Sequence, residues 1–292
     1  MIRLSPPSID ASVVFDACVS ELSDAALAAR FIAARSDVLA VYDEYDHHAS
    51  LDTLFTFPRC IRGNDHQIVV GGLTKGELVS LYSSQLSKKS SGARRFYDQI
   101  MVLAPSGKCP FCSCAPAETL DHFMSKSIYP GFSVLPVNLS PACFSCNKGK
   151  GFAAIGPDDQ VLHPYYESDL LETAIWLYAE VVETVPASVS FRVSPPEDWP
   201  PALAKRLCNY FRDFRIAWRF GIEAASELSS QAAYLVEMNS PEERLSHLNR
   251  VARVERRDRR NSWKAALFEA LAQNAWFQNE GCVLHSQGRV VV

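Results

Sequence analysis

Two cysteine pairs with the same gap, Cys109-Pro110-Phe111-Cys112 and Cys143-Phe144-Ser145-Cys146, constrain this chain more than any other feature. Four thiolates so spaced match the ligand pattern of a tetrahedral zinc site whose shell is closed, which is structural rather than catalytic geometry. Pro110 and Lys148-Gly149-Lys150 suit the tight turns of such a site. Cys114 could stand in for Cys112, but the two-residue gap favours Cys112. Cys18, Cys60, Cys208 and Cys282 are scattered and read as packing residues.

The bulk composition fits an ordinary folded protein: 292 residues, 48% hydrophobic and 21% charged. No apolar run approaches the roughly 20 residues needed to span a bilayer, so a membrane is not an expected partner. The opening Met-Ile-Arg-Leu-Ser-Pro-Pro lacks the apolar core of an export signal. The expectation is therefore a cytoplasmic, reducing setting, in which paired cysteines bind metal rather than form disulfides. A net charge of −4 gives no whole-protein attraction to nucleic acid, so local clusters would have to supply it.

Hydrophobic periodicity predicts helices over residues 10–50, with Asp24 capping the second. Ile68-Val69-Val70 reads as a short strand closed by Gly71-Gly72. Helices are expected from Thr74 to about Leu86 and from Ala93 to Leu103. Two strands are expected at Trp176–Val182 and Ser188–Val193, the first open to being a helix extension. From Pro201 to about Gln278 the pattern is helical, with Tyr210, Phe211, Phe214 and Trp218 at core spacing. The fold class is mainly α with a small α+β insert, divided into an N-terminal helical region (1–72), a metal-organised module (73–167) and a mostly helical C-terminal region (168–292).

Between and just after the cysteine pairs stand Asp121-His122, Asn138-Leu139 and Asn147. In a strand, neighbouring residues face opposite ways, so a carboxylate could hold a metal while the imidazole activates water. The order Cys-x-x-Cys, Asp-His, Asn-Leu, Cys-x-x-Cys-Asn-x-x-Lys, over Cys109–Phe152, resembles the zinc-stapled branch of the HNH (ββα-metal) endonucleases. The resemblance implies a zinc-stapled ββα-metal nuclease module flanked by helical regions. It also implies hydrolysis of DNA phosphodiester bonds to 5′-phosphate and 3′-hydroxyl ends. In it His122 is the general base, Asp121 and Asn147 hold a catalytic Mg²⁺ or Mn²⁺, and Asn138 orients the His122 ring by hydrogen bonding. Many relatives carry histidine where this chain has Asn147, and an oxygen ligand there suits a hard ion. His163, just beyond the motif, is open to three roles: a third ligand, a phosphate contact or a structural histidine before a proline turn.

Lys126, Lys148 and Lys150 surround this centre and suit either phosphate contacts or solvated positions. Two further basic elements are candidates for nucleic-acid binding. Arg94 and Arg95 precede the module, and Arg250, Arg253, Arg257, Arg260 and Lys264 recur at helical steps over Asn249–Lys264 as one cationic stripe, open to being either a phosphate-tracking helix or a solvated face. The alternative to a nuclease is a zinc-stabilised nucleic-acid-binding subunit, catalytically silent or gated by a partner. The flanking helical regions are large for mere scaffolding and could dock such a partner, an ATPase or other defence-system subunit. With the Pro164-Tyr165-Tyr166 turn after the motif, this organisation resembles effectors of bacterial anti-phage systems of the Septu or retron kind. No dimer signature is visible.

Overall fold

The computed structural model describes residues 1–150, 156 and 160–288, the Lys150 side chain excepted. The chain divides into two compact units, Met1–Glu167 and Ser168–Val292, each taken by itself below. The described residues are mostly helical, with three small antiparallel sheets of two strands each. None of their helices is long and apolar enough to cross a membrane.

The first unit opens with α1 (Ala11–Ser20), α2 (Ala25–Ala33) and α3 (Arg35–Ser50). Asp24 caps α2 as predicted, its carboxylate accepting from the amides of Ala26 and Leu27. Helix α3 buries Val38, Tyr42, Tyr45 and Ala49, a stripe at three- and four-residue steps that turns one helical face inward. β1 (Ile68–Val70) and β2 (Leu73–Thr74) form a hairpin whose turn, Gly71-Gly72, needs positive φ at both positions. A Cβ on Gly71 would also stand 2.5 Å from that of Ala34, so the hairpin packs hard against the end of α2.

Thr74 and Glu77 form a reciprocal capping box that starts α4 (Lys75–Leu81). The helix then widens into a π-helical turn, Tyr82–Leu86. After α5 (Arg94–Met101) the cysteine segment supplies β3 (Thr119–His122), β4 (Leu139–Ala142) and α6 (Phe144–Lys150) in that order. β3 and β4 pair antiparallel, with Asp121 opposite Ser140 and His122 opposite Leu139. Tyr97 of α5 accepts the Leu120 amide through its hydroxyl at 3.2 Å, which ties β3 to that helix.

In the second unit α7 (Leu170–Thr173) precedes β5 (Leu177–Val182) and β6 (Ser188–Val193), paired along their full length. The open choice at 176–182 thus resolves as a strand. α8 (Pro201–Asp213), α9 (Ile216–Val236), α10 (Pro241–Asp258), α11 (Trp263–Gln273) and α12 (Cys282–Gln287) follow.

The helix predicted over 249–264 is two helices, a correction with a clear cause. Asn261 is buried, and its carbonyl accepts the Trp176 and Leu177 amides while its NH₂ donates to the Leu171 and Ala174 carbonyls. Ser262 then caps α11 by accepting from the Ala265 amide. Arg260 and Lys264 therefore do not continue the stripe of α10. Two smaller expectations also fail. Trp218 is 54% exposed while Tyr210, Phe211 and Phe214 are buried, and Cys208 is exposed rather than packed.

Candidate active site

Cys109, Cys112, Cys143 and Cys146 come together as a buried cluster, their sulfurs all within 4.8 Å of one another. A tetrahedral ion with bonds of about 2.3 Å needs sulfurs about 3.8 Å apart, and the Cys112 and Cys143 sulfurs stand at 3.9 Å. The cluster can thus hold a metal ion such as zinc. The first knuckle is closed by Cys109, which accepts the Ser113 amide at 2.7 Å and donates its own amide to the Ala115 carbonyl. Ser113 turns the chain at φ 60°. In the second, the Cys146 amide donates to the Cys143 sulfur at 3.4 Å.

Crowding divides the four thiols. The Cys109 thiol, above other neighbours, pulls Cys112 down and Cys143 down to about 7. Cys112 in turn pushes Cys109 up, and Cys109 pushes Cys146 up, because a thiolate is held by its neighbours' S–H groups. Thiolates are the metal-binding form. Cys114 lies outside the cluster and points its thiol to the Cys112 carbonyl at 3.1 Å.

Next to this cluster in sequence, α6 presents Asn147 one residue after Cys146. Asn147, Asp121 and His122 all line one cleft of about 350 Å³, with Tyr82, Lys126 and Phe144. Asp121 and His122 share the cleft although strand alternation predicts opposite faces. His122 is the last residue of β3, where the chain leaves the strand. Its Nε2 lies 2.9 Å from the Ser133 carbonyl oxygen, which can only accept. In the neutral ring the proton therefore sits on Nε2 and the lone pair on Nδ1.

Asn138 does not act on the His122 ring as expected. Its side-chain oxygen accepts from the Met124 amide at 2.7 Å and the Tyr45 hydroxyl at 3.1 Å. Its NH₂ donates to the Met124 carbonyl at 3.1 Å and the Phe132 carbonyl at 3.0 Å. Those four bonds fill its capacity. Asn138 instead folds the 123–138 loop that brings the Ser133 carbonyl to His122, so its influence on the ring passes through the backbone.

His163 is buried behind this loop. Its Nδ1 accepts the Tyr165 amide at 3.1 Å, which leaves the proton on Nε2, 3.1 Å from the Tyr45 oxygen. The direction is then set along the chain: His163 donates to Tyr45, and Tyr45 donates to Asn138. Of the three roles open to His163, the structural one matches this network. Phe123 packs on its ring at 4.0 Å between centroids.

Sequence reasoning passed over Tyr82, Tyr45 and Ser133. The Tyr82 ring meets that of His122 edge-on at 4.4 Å. Burial first, then Tyr97 and Asp121, raises its phenol. Lys126 sets its amine 4.2 Å above the Tyr82 ring, and desolvation lowers its pKa. A π-helical turn at such a position is itself a signal of a functional site, but it is invisible in hydrophobic periodicity.

Of the remaining basic candidates, Lys148 is exposed on the cleft wall, while the Lys150 side chain and Phe152 lie outside the described residues. Arg94 is held by Asp98 and the Ser87 carbonyl, both at 2.8 Å, whereas Arg95 is exposed over the Phe96 ring. In the second unit Arg250, Arg253 and Arg257 are exposed on α10. Arg260 donates to the Thr173 carbonyl and Lys264 pairs with Glu227 at 3.2 Å.

No family model matches the chain, and no solved structure matches it. Among curated proteins it is 33% identical over 232 residues to Protein ea31 of Escherichia phage lambda, a stretch that covers 78% of each chain. Over so much of both lengths, that identity makes this chain a member of the Protein ea31 family.

Proposed function

We propose that the chain is a metal-dependent endonuclease of the HNH kind, hydrolysing DNA to 5′-phosphate and 3′-hydroxyl ends. One observation carries the reading: His122, with its lone pair fixed on Nδ1 by the Ser133 carbonyl, shares a cleft with Asp121 and Asn147. A binding module has no need of an imidazole held in one tautomer beside two oxygen ligands.

In this reading β3, β4 and α6 form the ββα-metal unit, and the four cysteines hold a structural zinc that fixes the start of α6. Asp121 and Asn147 would hold Mg²⁺ or Mn²⁺, an oxygen donor set suited to a hard ion. When bound there, the ion supplies positive charge against the phosphate and the leaving oxygen. His122 Nδ1 takes the proton from the attacking water, while the Nε2–H bond to Ser133 keeps the ring from turning. The Lys126 amine, partly withdrawn from water, places a further positive charge where a phosphate would enter.

The test is supercoiled plasmid incubated with the purified protein and Mg²⁺ or Mn²⁺. Nicked or linear product that disappears with EDTA supports the reading. A folded, zinc-loaded protein that leaves plasmid, linear duplex and single strands uncut with either ion refutes it.

A further inference from the structure

Every phenylalanine and tyrosine of the first unit is buried or half-buried among the described residues, with a single exception. Phe144 is 67% exposed, and it stands on the wall of the cleft that holds Asp121, His122 and Asn147. Its place between Cys143 and Cys146 explains why it cannot reach the core, since both flanking cysteines are turned inward to the cluster. That does not explain why an aromatic stands there: a polar knuckle residue would keep the same backbone without leaving apolar surface in water.

The neighbours define what would cover the ring. Lys126 and the exposed Lys148 supply positive charge on the same cleft. An exposed aromatic face in a cleft that also carries cations is the pairing that holds unpaired nucleotides, with phosphate on the lysines and base on the ring. In a matched duplex the faces of the bases are already covered by their neighbours, so such a ring gains little there.

We propose that Phe144 stacks on a base beside the scissile phosphate. The site then prefers nucleic acid with an unpaired base at that place, single-stranded or bulged, over matched duplex. The inference rests on the nuclease reading and adds its substrate class. Phe144 is a specificity residue: it contacts substrate but takes no part in proton transfer or metal binding.

The test uses the full chain carrying His122→Ala, so that binding is read without cutting. The probe is a short oligonucleotide with 2-aminopurine, supplied as a single strand, as a bulge and in matched duplex. The parent should bind the first two more tightly than the third and quench their fluorescence. Phe144→Leu, which keeps apolar bulk but has no stacking face, should weaken single-strand binding about tenfold and remove the quench, and Phe144→Trp should keep both. Bound zinc, measured on each variant, guards against a misfolded knuckle, and Phe144→Trp keeps the comparison decisive if Phe144→Leu unfolds, since loss of quench in Trp sinks the proposal. Equal binding by Phe144→Leu and its parent, or matched duplex bound as tightly as single strand, overturns the stacking role alone. A wild type that cuts nothing and a parent that binds none of the probes overturn the nuclease reading with it.

Discussion

His122 donates from Nε2 to the Ser133 backbone carbonyl at 2.9 Å, a bond that sets the tautomer of the ring without any side chain to mark it in the sequence. The bond exists only while the 123–138 loop keeps its shape. The loop is held by Asn138 from within and by Tyr45 of α3 from behind.

Asn138→Ala should be among the most damaging single changes in the first unit. It strips the partner from the Met124 amide and from the Met124 carbonyl, groups that cost about 1–3 kcal/mol each when left buried and unpaired. It also takes one of two donors from the Phe132 carbonyl, which keeps the Leu135 amide. Thermal unfolding should shift down by several degrees, and cleavage should vanish while the isolated cysteine knuckles still bind metal.

Tyr45→Phe is the milder probe of the same loop. It removes one hydroxyl that both accepts from His163 and donates to Asn138, with an expected loss of about 1–3 kcal/mol in chemical denaturation. Turnover should fall more than substrate affinity, because the residue acts on the His122 support and not on the cleft wall.

Metal content separates the cysteines. Elemental analysis should find one zinc per chain in the wild type and in Cys114→Ser, and none or a loosely held ion in Cys112→Ser. Retention in Cys112→Ser together with loss in Cys114→Ser would mean that the cluster is wrongly assigned.

The arginines of α10 and its end should divide into two groups. Arg256 pairs with Glu269 and is mostly buried, with its Nε 2.6 Å from the carboxylate, so Arg256→Ala should lower stability by about 1–3 kcal/mol. Arg250→Ala, Arg253→Ala and Arg257→Ala alter exposed positions and should leave stability within about 0.5 kcal/mol. If they track phosphates, each should reduce the salt dependence of DNA binding by about one unit of slope.

The cysteine spacing was legible because a metal cluster demands a fixed gap whatever the surrounding fold, and Cys114 could be set aside on that ground. Asp24, Thr74 and Gly71-Gly72 were legible because caps and hairpin turns are local chemistry. The break at Asn261 was not, since its partners at Leu171, Ala174, Trp176 and Leu177 are far off in sequence and the arginine periodicity ran straight through it. Asn138 was found for its place in the motif, but its action was misread, because a carboxamide that bonds backbone carbonyls leaves no patterned partner. Tyr82 reaches His122 only through the packing of a π-helical turn, which no spacing rule describes.

The most direct measurement is the cleavage rate of His122→Ala, with its zinc content confirmed, in the presence and absence of added imidazole. Loss of general-base catalysis should slow cutting by about 10²–10⁴-fold, and imidazole should restore part of it without changing the 5′-phosphate ends. A variant that cuts as fast as the wild type would show that His122, for all the care with which Ser133 holds it, is not the base.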